Sequence, residues 1–414
     1  MVFTGKGGVG TTTAAAATAT LGALRGMRTL VMSTDAAHSL GDVLDAQIGP
    51  DPTEVDDGLY AQQIDAQRGL ERSWSALGEP LTRALARLND GGPARDGIHA
   101  EEATVIPGVE ELMMLLEIVT QVRSKSWDLV VIDGAPTAHA LRLLALPDTL
   151  MRYLRRLGGV RPLHALQPVD DGSVEPEPAN ALYRELSEVR ELMTGPDATV
   201  RLVLTPEFVV ANEARRAYTT LALYGYGVDG VIANRLFPQH GSDPWRRQWI
   251  AAQEVVLAEV EQTFDGTPIH RSPYRSCEPV GLGELAAFAA EAYGAADPFA
   301  RPKRDELLRM VRDESGCELR FALPHVRGTD LAVTRKEDQL VLTVGSYRRV
   351  LTLPEDMHQA EVVGASLLDG QLVVRFRDAV ERTGSATGPE RGSLQARGGV
   401  RAAGSGPRIR HGRR

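Results

Sequence analysis

The 414-residue chain is 43% hydrophobic and 24% charged, the balance of a soluble globular protein with length for two or three domains. Its two cysteines, Cys277 and Cys317, exclude a disulfide scaffold or a cysteine-built zinc knot and suit a reducing, cytoplasmic location. The net charge of −9 is uneven: residues 383–414 carry seven Arg against one Glu, and removing that net +6 leaves −15 on the body. An acidic body disfavours a general or specific nucleic-acid role. No basic stretch followed by an apolar core opens the chain, and no apolar run reaches the roughly 18 residues of a membrane span, so neither a secretory leader nor stable membrane insertion is expected.

In chain order, "MVFT" is the first strand-like run; it is only four residues long, so either the strand is brief or residues stand upstream of it. An Ala-rich helical stretch follows, then "RTLVMS" (28–33), "WDLVVID" (127–133), "TVRLVLT" (199–205) and "GVIAN" (230–234). Short continuous apolar runs separated by helices up to about residue 295 predict an α/β domain around a mostly parallel sheet. Between the second and third runs lie two helical stripes: Leu70, Trp74, Leu77, Leu81, Leu85 and Leu88, then Val109, Leu112, Met113, Leu116 and Val119. These read either as helix-on-helix core or as a partly exposed, adaptable groove, for which the pair Met113 and Met114 is mild support.

"QPVDDGSVEPEPAN" (167–180) reads as a loop. Beyond "ADPFARPKRD" (296–305) the pattern turns to short alternating runs, with Asp369-Gly370 as a hairpin signal, predicting a small antiparallel β domain. The Gly, Ser and Arg-rich end from about residue 380 is expected to be disordered.

The chemistry is concentrated at the front. "GKGGVGTTT" fits a phosphate-binding loop from Gly5 to Thr12, whose backbone N–H groups and following helix N-terminus suit an anion. Thr12 is placed to bind Mg2+, but the position of the usual lysine holds Thr11. Asp35 in "STDAAHSLGD" and Asp133 in "VIDGAPTAHALRLL" each follow a buried run, so both emerge at the carboxyl edge of the sheet beside that loop. One carboxylate can polarise an attacking water and the other hold magnesium.

"GKGGVG", "STDAAHSLGD", "PGVEEL", "DGAPTAHALRLL" and "IANR" stand in the order seen in the arsenite-pump and tail-anchored-protein-targeting ATPases, a family of deviant P-loop NTPases that residues 1–295 resemble. The β domain is similar to the small-heat-shock, α-crystallin-like domain, a β-sandwich, of some members. The resemblance implies ATP and Mg2+ as ligands, a homodimer, and hydrophobic client segments as partners. It makes Lys6 the signature lysine that reaches the partner's phosphates. Gly5, Lys6, Gly7, Gly8, Val9, Gly10, Thr11, Thr12 and Thr13 then form the nucleotide cradle. Asp35 positions the attacking water, and Thr12 with Asp133 supports the metal. His38 and Ser39, and Pro136, Thr137 and His139, belong to two switch segments. Asn234 resembles the adenine-reading residue, and Pro273 falls in the adenine-flanking loop.

The domain boundaries expected are 1–298 for the ATPase, with helical insertions about 65–125 and 150–195, a linker or helix over 299–314, the β domain over 315–378 and the tail over 379–414. The β domain shields a client groove, adds a contact surface or caps the structure. Three departures stand out: residues 235–295 lack the C-x-x-C that binds zinc between protomers, the arsenite-binding cysteines are missing, and Thr11 replaces the lysine. The last leaves two readings open: a hydrolysing switch, or a non-hydrolysing nucleotide-binding scaffold. A division-site or partition ATPase is disfavoured by "APTAHALRLL" and by the long helical insertions.

Overall fold

The computed structural model describes residues 1–35, 39–69, 71, 108–156, 178–239, 243–300, 307–313, 316–368 and 370–377. They divide into two compact units, residues 1–305 and 306–414. The first is built on an eight-stranded sheet of β1 (Val2–Gly5), β2 (Thr29–Ser33), β3 (Thr53–Asp56), β4 (Leu59–Gln63), β5 (Leu129–Asp133), β6 (Val200–Leu204), β7 (Val228–Leu236) and β8 (Ile269–Pro273). Their order is β3-β4-β2-β5-β1-β6-β7-β8, and every pair is parallel except β3 with β4. β3, β4 and β8 escape a sequence reading because their polar residues break the apolar runs that mark the central strands. The chain leaves β1 towards β2 on one side and leaves β5 towards β6 on the other. This reversal opens a crevice beyond the carboxyl ends of β1 and β5.

Helices α1 (Thr11–Leu24), α2 (Ser39–Leu44), α3 (Val109–Arg123), α4 (Thr137–Arg156), α5 (Pro178–Thr194), α6 (Phe208–Tyr224), α7 (Pro244–Thr263) and α8 (Leu282–Tyr293) complete the described part of this unit. α1 has no polar face: Ala14, Ala15, Ala16, Ala17 and Ala19 are all fully buried. A helix of small side chains can lie close on a sheet, and α1 packs against β2 and β5 on one side and α8 on the other. Helices α3, α4 and α5 share a separate core of Val109, Leu112, Met113, Met151, Leu154, Leu182, Tyr183 and Leu186. Val109, Leu112, Met113 and Leu116 of the second stripe therefore pack helix on helix, and Val119 is buried. The first, Leu70 to Leu88, lies outside the described residues. No described helix is long and apolar enough to cross a membrane.

A buried polar cluster joins α1, α8 and three strands. Arg201 on β6 donates to Asp229 on β7 in bidentate fashion at 3.1 and 3.0 Å, and to the Tyr293 hydroxyl at 3.1 Å. Its remaining reach goes to the carbonyl of Pro298 at 2.9 Å. The Tyr293 hydroxyl also meets Thr18 of α1 at 2.5 Å, and the His270 ring stands edge-on to the Tyr293 ring. Removing one member of such a pair strands a charge in a dry interior.

The second unit holds a four-stranded sheet ordered β14-β15-β10-β9 and a three-stranded sheet ordered β11-β12-β13. These strands are β9 (Leu308–Asp313), β10 (Gly316–Ala322), β11 (Leu331–Lys336), β12 (Gln339–Val344), β13 (Tyr347–Thr352), β14 (Glu361–Leu368) and β15 (Gln371–Arg377). All neighbours are antiparallel. Cys317, Leu319, Phe321, Leu340, Leu342, Leu372, Val374 and Phe376 alternate inward to form the core. β9 lies within 299–314, where the sequence suggests a linker or helix. It pairs along the whole of β10, so that segment adds an edge strand to the β domain. Gly370, in the turn between β14 and β15, sits at φ 72°, while Asp369 and the tail lie outside the described residues.

Burial, and then the Arg201 charge, hold the His270 pKa down to about 4. The unfolded chain, with its histidine near 6.5, binds more protons between those values, so stability is full above about pH 6.5 and declines as pH falls towards 4. His270→Gln is expected to remove that slope, which urea melts at pH 7 and pH 4.5 would measure. Asp229→Ala is expected to cost about 3–5 kcal/mol, read in the same melts.

Candidate functional site

The site forms where β1, β2 and β5 end together. In register, Asp133 of β5 lies opposite Phe3 of β1 on one side and Ser33 of β2 on the other. The chain leaving β1 runs against β6, and the chain leaving β5 runs against β1. A methyl group on Gly5 would stand 2.2 Å from the carbonyl oxygen of Val203, and one on Gly134 would stand 2.3 Å from that of Phe3. Neither position admits a side chain without moving main chain.

Beyond Gly5 the loop turns through Lys6 to Gly10 and enters α1 at Gly10, whose φ is 94°. No side chain caps α1, and no acidic residue occupies its first turn. Its first N–H groups and the positive end of its dipole thus meet an anion with no internal competitor. Asn234 supports the loop from beneath. Its Nδ2 donates to the carbonyl of Val9 at 2.8 Å and its Oδ1 accepts from the N–H of Arg235. Thr11 occupies the first helical position, its hydroxyl turned towards Gly5.

Behind the loop are the two acidic segments. Asp133 is 1% exposed; Ser33 Oγ donates to its Oδ2 at 3.2 Å, while Oδ1 is buried and accepts no hydrogen bond. Burial pushes its pKa up to about 7, the hydroxyls of Thr12 and Ser33 pull it back, and the charge of Asp35 adds to the rise. Thr12 Oγ1 lies 3.3 Å from the Ser39 hydroxyl at the start of α2. An orphaned buried carboxylate oxygen beside two threonine and serine hydroxyls is a donor set that fits Mg2+, which takes one or two carboxylates and completes its shell with phosphate and water.

The segments after β2 and β5 are braced to each other. The Thr34 N–H and hydroxyl donate to the carbonyl of Asp133 at 3.0 and 3.2 Å, and the N–H of Ala135 donates back to the Thr34 hydroxyl at 3.1 Å. Asp35 N–H donates to Ser33 Oγ at 3.1 Å. Thr137 is buried at the start of α4, Pro136 is exposed, and His139 Nδ1 lies 3.3 Å from Arg142. His38 lies outside the described residues.

Two cavities flank the loop. One, of about 340 Å³, is lined by Gly10, Thr13, Asn234, Pro273, Cys277 and Phe288. The other, of about 380 Å³, is lined by Lys6, Gly7 and Gly8 together with Phe237, Trp245, Trp249 and Tyr274. In the second, Phe237 stacks on Tyr274 with centroids 5.6 Å apart, and Trp245, Trp249 and Tyr274 are exposed. Gly5 to Thr13, Asp133, Ser39 and Asn234 thus gather at one crevice, with Pro273 on its rim. Sequence reasoning missed Ser33 and Thr34, which brace the acidic segments. Their hydroxyls directly precede Asp35 in "STD" and read there only as the polar end of a strand.

The model of the anion-transporting ATPase family matches residues 1–294, and the model of an HSP20-like domain found in that family matches residues 314–376. A putative arsenical pump-driving ATPase of Chlorobaculum tepidum is 33% identical over 390 residues, covering 91% of this chain and 95% of its own length. Another protein of that description, from Aquifex aeolicus, is 28% identical over 401 residues, 90% of this chain and 98% of its own. An ATPase ASNA1 homolog of Trypanosoma cruzi is 32% identical over 316 residues, 69% of this chain and 88% of its own.

Asp133→Asn removes a carboxylate that is costly to ionise where it stands. Its folded pKa lies above the unfolded value of 3.8, so the native charge costs stability increasingly from about pH 4 to about pH 7 and fully above. The ligand-free variant is therefore expected to melt higher than wild type at pH 8 and equally at pH 4. Magnesium, in turn, is expected to stabilise wild type with nucleotide but not the variant. Thermal scans with and without MgCl2 measure both.

Proposed function

The chain belongs to the anion-transporting ATPase family, and from that premise we propose that it is a magnesium-dependent, nucleotide-switched ATPase that works in the cytoplasm as a homodimer on hydrophobic client segments. The observation that carries the reading is the uncapped N-terminus of α1, whose Thr12 meets the Ser39 hydroxyl and stands beside the buried carboxylate of Asp133. The loop's N–H groups grip the phosphates, and the cavity lined by Asn234 and Pro273 takes the base. Thr12 and Asp133 hold the metal, whose charge offsets that of the phosphates when it is bound. Asp35 orients the attacking water. Lys6, on the outer arm of the loop among exposed aromatics, supplies positive charge across a dimer interface. The braces between the segments after β2 and β5 make them respond together to the terminal phosphate, two arrangements biased by one ligand.

Thr11 favours a second reading, a scaffold that holds ATP without cleaving it. A loop lysine contributes roughly 1.5–3 kcal/mol through a charge-assisted bond, so its absence weakens affinity about 10- to 150-fold. Turnover loses about 10²- to 10³-fold unless Lys6 compensates.

Calorimetric titration of MgATP with phosphate release, run beside Thr11→Lys, separates the two. Binding with turnover within about tenfold of the lysine variant upholds the switch; binding without turnover, restored by lysine, selects the scaffold. No binding by either form defeats both. An independent readout comes from the cysteines, since Cys277 is exposed on the base-side cavity and Cys317 is buried. MgATP is expected to slow maleimide labelling of Cys277 at least about tenfold, measured by mass spectrometry. Unchanged labelling would place the base elsewhere.

A further inference from the structure

β4 ends in a pair of glutamines that no phosphate-site motif covers. Gln62 and Gln63 are 1% and 6% exposed. Gln63 Nε2 donates to the main-chain carbonyl of Asp35 at 3.0 Å. Gln62 Nε2 donates to the Pro50 carbonyl at 2.7 Å and to Glu117 Oε1 of α3 at 2.8 Å. Glu117 Oε1 also accepts from Gln121, so all three partners are acceptors, and each glutamine amide is fixed in one orientation. In that orientation both Oε1 atoms are buried and accept nothing. A buried acceptor without a partner is a cost that an apolar side chain of similar length would avoid. The two side chains thus act as donors only, one towards Asp35 and one towards α3.

The surroundings show why a tether matters there. Gln63 lines a cavity of about 420 Å³ with Thr34, Ile64, Asp65, Glu110 and Met114, between the end of β2 and α3. The Asp35 main chain is fixed on its inner side by Ser33 Oγ. From the wall of that cavity, the Gln63 amide grips the Asp35 carbonyl.

We propose that Gln63 is a positioning residue for the nucleotide site: it holds the Asp35 segment beside Asp133 by gripping the Asp35 carbonyl. Gln62, next along the strand, anchors the same strand end to α3, so the Asp35 segment takes its position from the helical insertion as well as from the sheet. This rests on the reading of Asp35 as a residue that serves bound ATP. Gln63 itself touches no substrate; it acts through Asp35.

The test uses the full chain with Gln63→Glu, which keeps the shape and loses the donor, and Gln63→Met, which keeps the length and loses both polar atoms. MgATP affinity by calorimetry, phosphate release, and amide hydrogen exchange over residues 33–44 are compared with wild type. Affinity is expected to stay within about threefold, because the loop and α1 are untouched. Phosphate release is expected to fall about 10- to 100-fold, the scale of a misplaced reacting group. Exchange is expected to quicken over 33–44 and not over α1. Phosphate release at the wild-type rate in both variants overturns the proposal, as does joint loss of affinity and turnover with faster exchange across the whole unit, which marks a merely structural role. If wild type binds MgATP and releases no phosphate, hydrolysis fails as a function and exchange alone decides: faster exchange confined to 33–44 upholds the tether, and unchanged exchange overturns it.

Discussion

Main chain touches main chain at the carboxyl edge of the sheet, and the rest of the site depends on that contact. With no room for a methyl group at Gly5 or Gly134, the turns leaving β1 and β5 lie flush against their neighbours. Only then can Asp133 sit in register between Phe3 and Ser33, sealed from solvent, with α1 opening directly in front of it. A bulkier edge would lift the loop, admit water and relax the carboxylate to its ordinary acidity. The geometry of the glycines and the electrostatics of the aspartate are one constraint seen twice.

That constraint sets up an unbalanced field. The end of α1 offers uncapped N–H groups with no acid in its first turn, while the lysine expected of such a loop is a threonine. Positive charge at the crevice therefore comes from backbone dipoles at the start of α1, from Lys6, and from Arg235 and Arg275, which line the flanking cavities. Dipoles fixed by a helix need no reorganisation when an anion arrives, whereas a lysine on a flexible stem must be ordered.

Much of this was legible in the chain. Gly5 to Thr13, Asp35 and Asp133 announce themselves because a phosphate loop needs small residues at fixed spacing and because acids after buried strands must surface at one edge. The central strands were equally plain, their apolar runs matching burial on both faces. β3, β4 and β8 were not: β3 and β8 are edge strands, where polar residues are tolerated, and β4, though paired on both sides, ends in buried glutamines that break its apolar run. Gln62 and Gln63 were hidden for the same reason: in "LYAQQID" they look like the decay of a strand. Ser33 and Thr34 were hidden because a hydroxyl's partner, not its place in the chain, gives it meaning. β9 fell in a segment whose start, "ADPFARPKRD", looks like linker, and its value appears only when β10 is laid beside it. Asn234 was singled out by resemblance to an adenine-reading residue, and the structure adds that its amide donates to the loop carbonyl of Val9.

The alanine rod α1 has a mechanical consequence. Packed between sheet and α8, and tied near its middle through Thr18 to Tyr293, it buries small side chains over most of its length, with Leu24 exposed at its end. The floor of the crevice is in effect a fixed stator. The segments after β2 and β5 are tied instead to each other, through Thr34, Asp133 and Ala135. Those segments lead into α2 and α4, and α4 is built into the same small core as α3 and α5. The phosphate edge and the helical insertion are thus joined by continuous described structure, through α4.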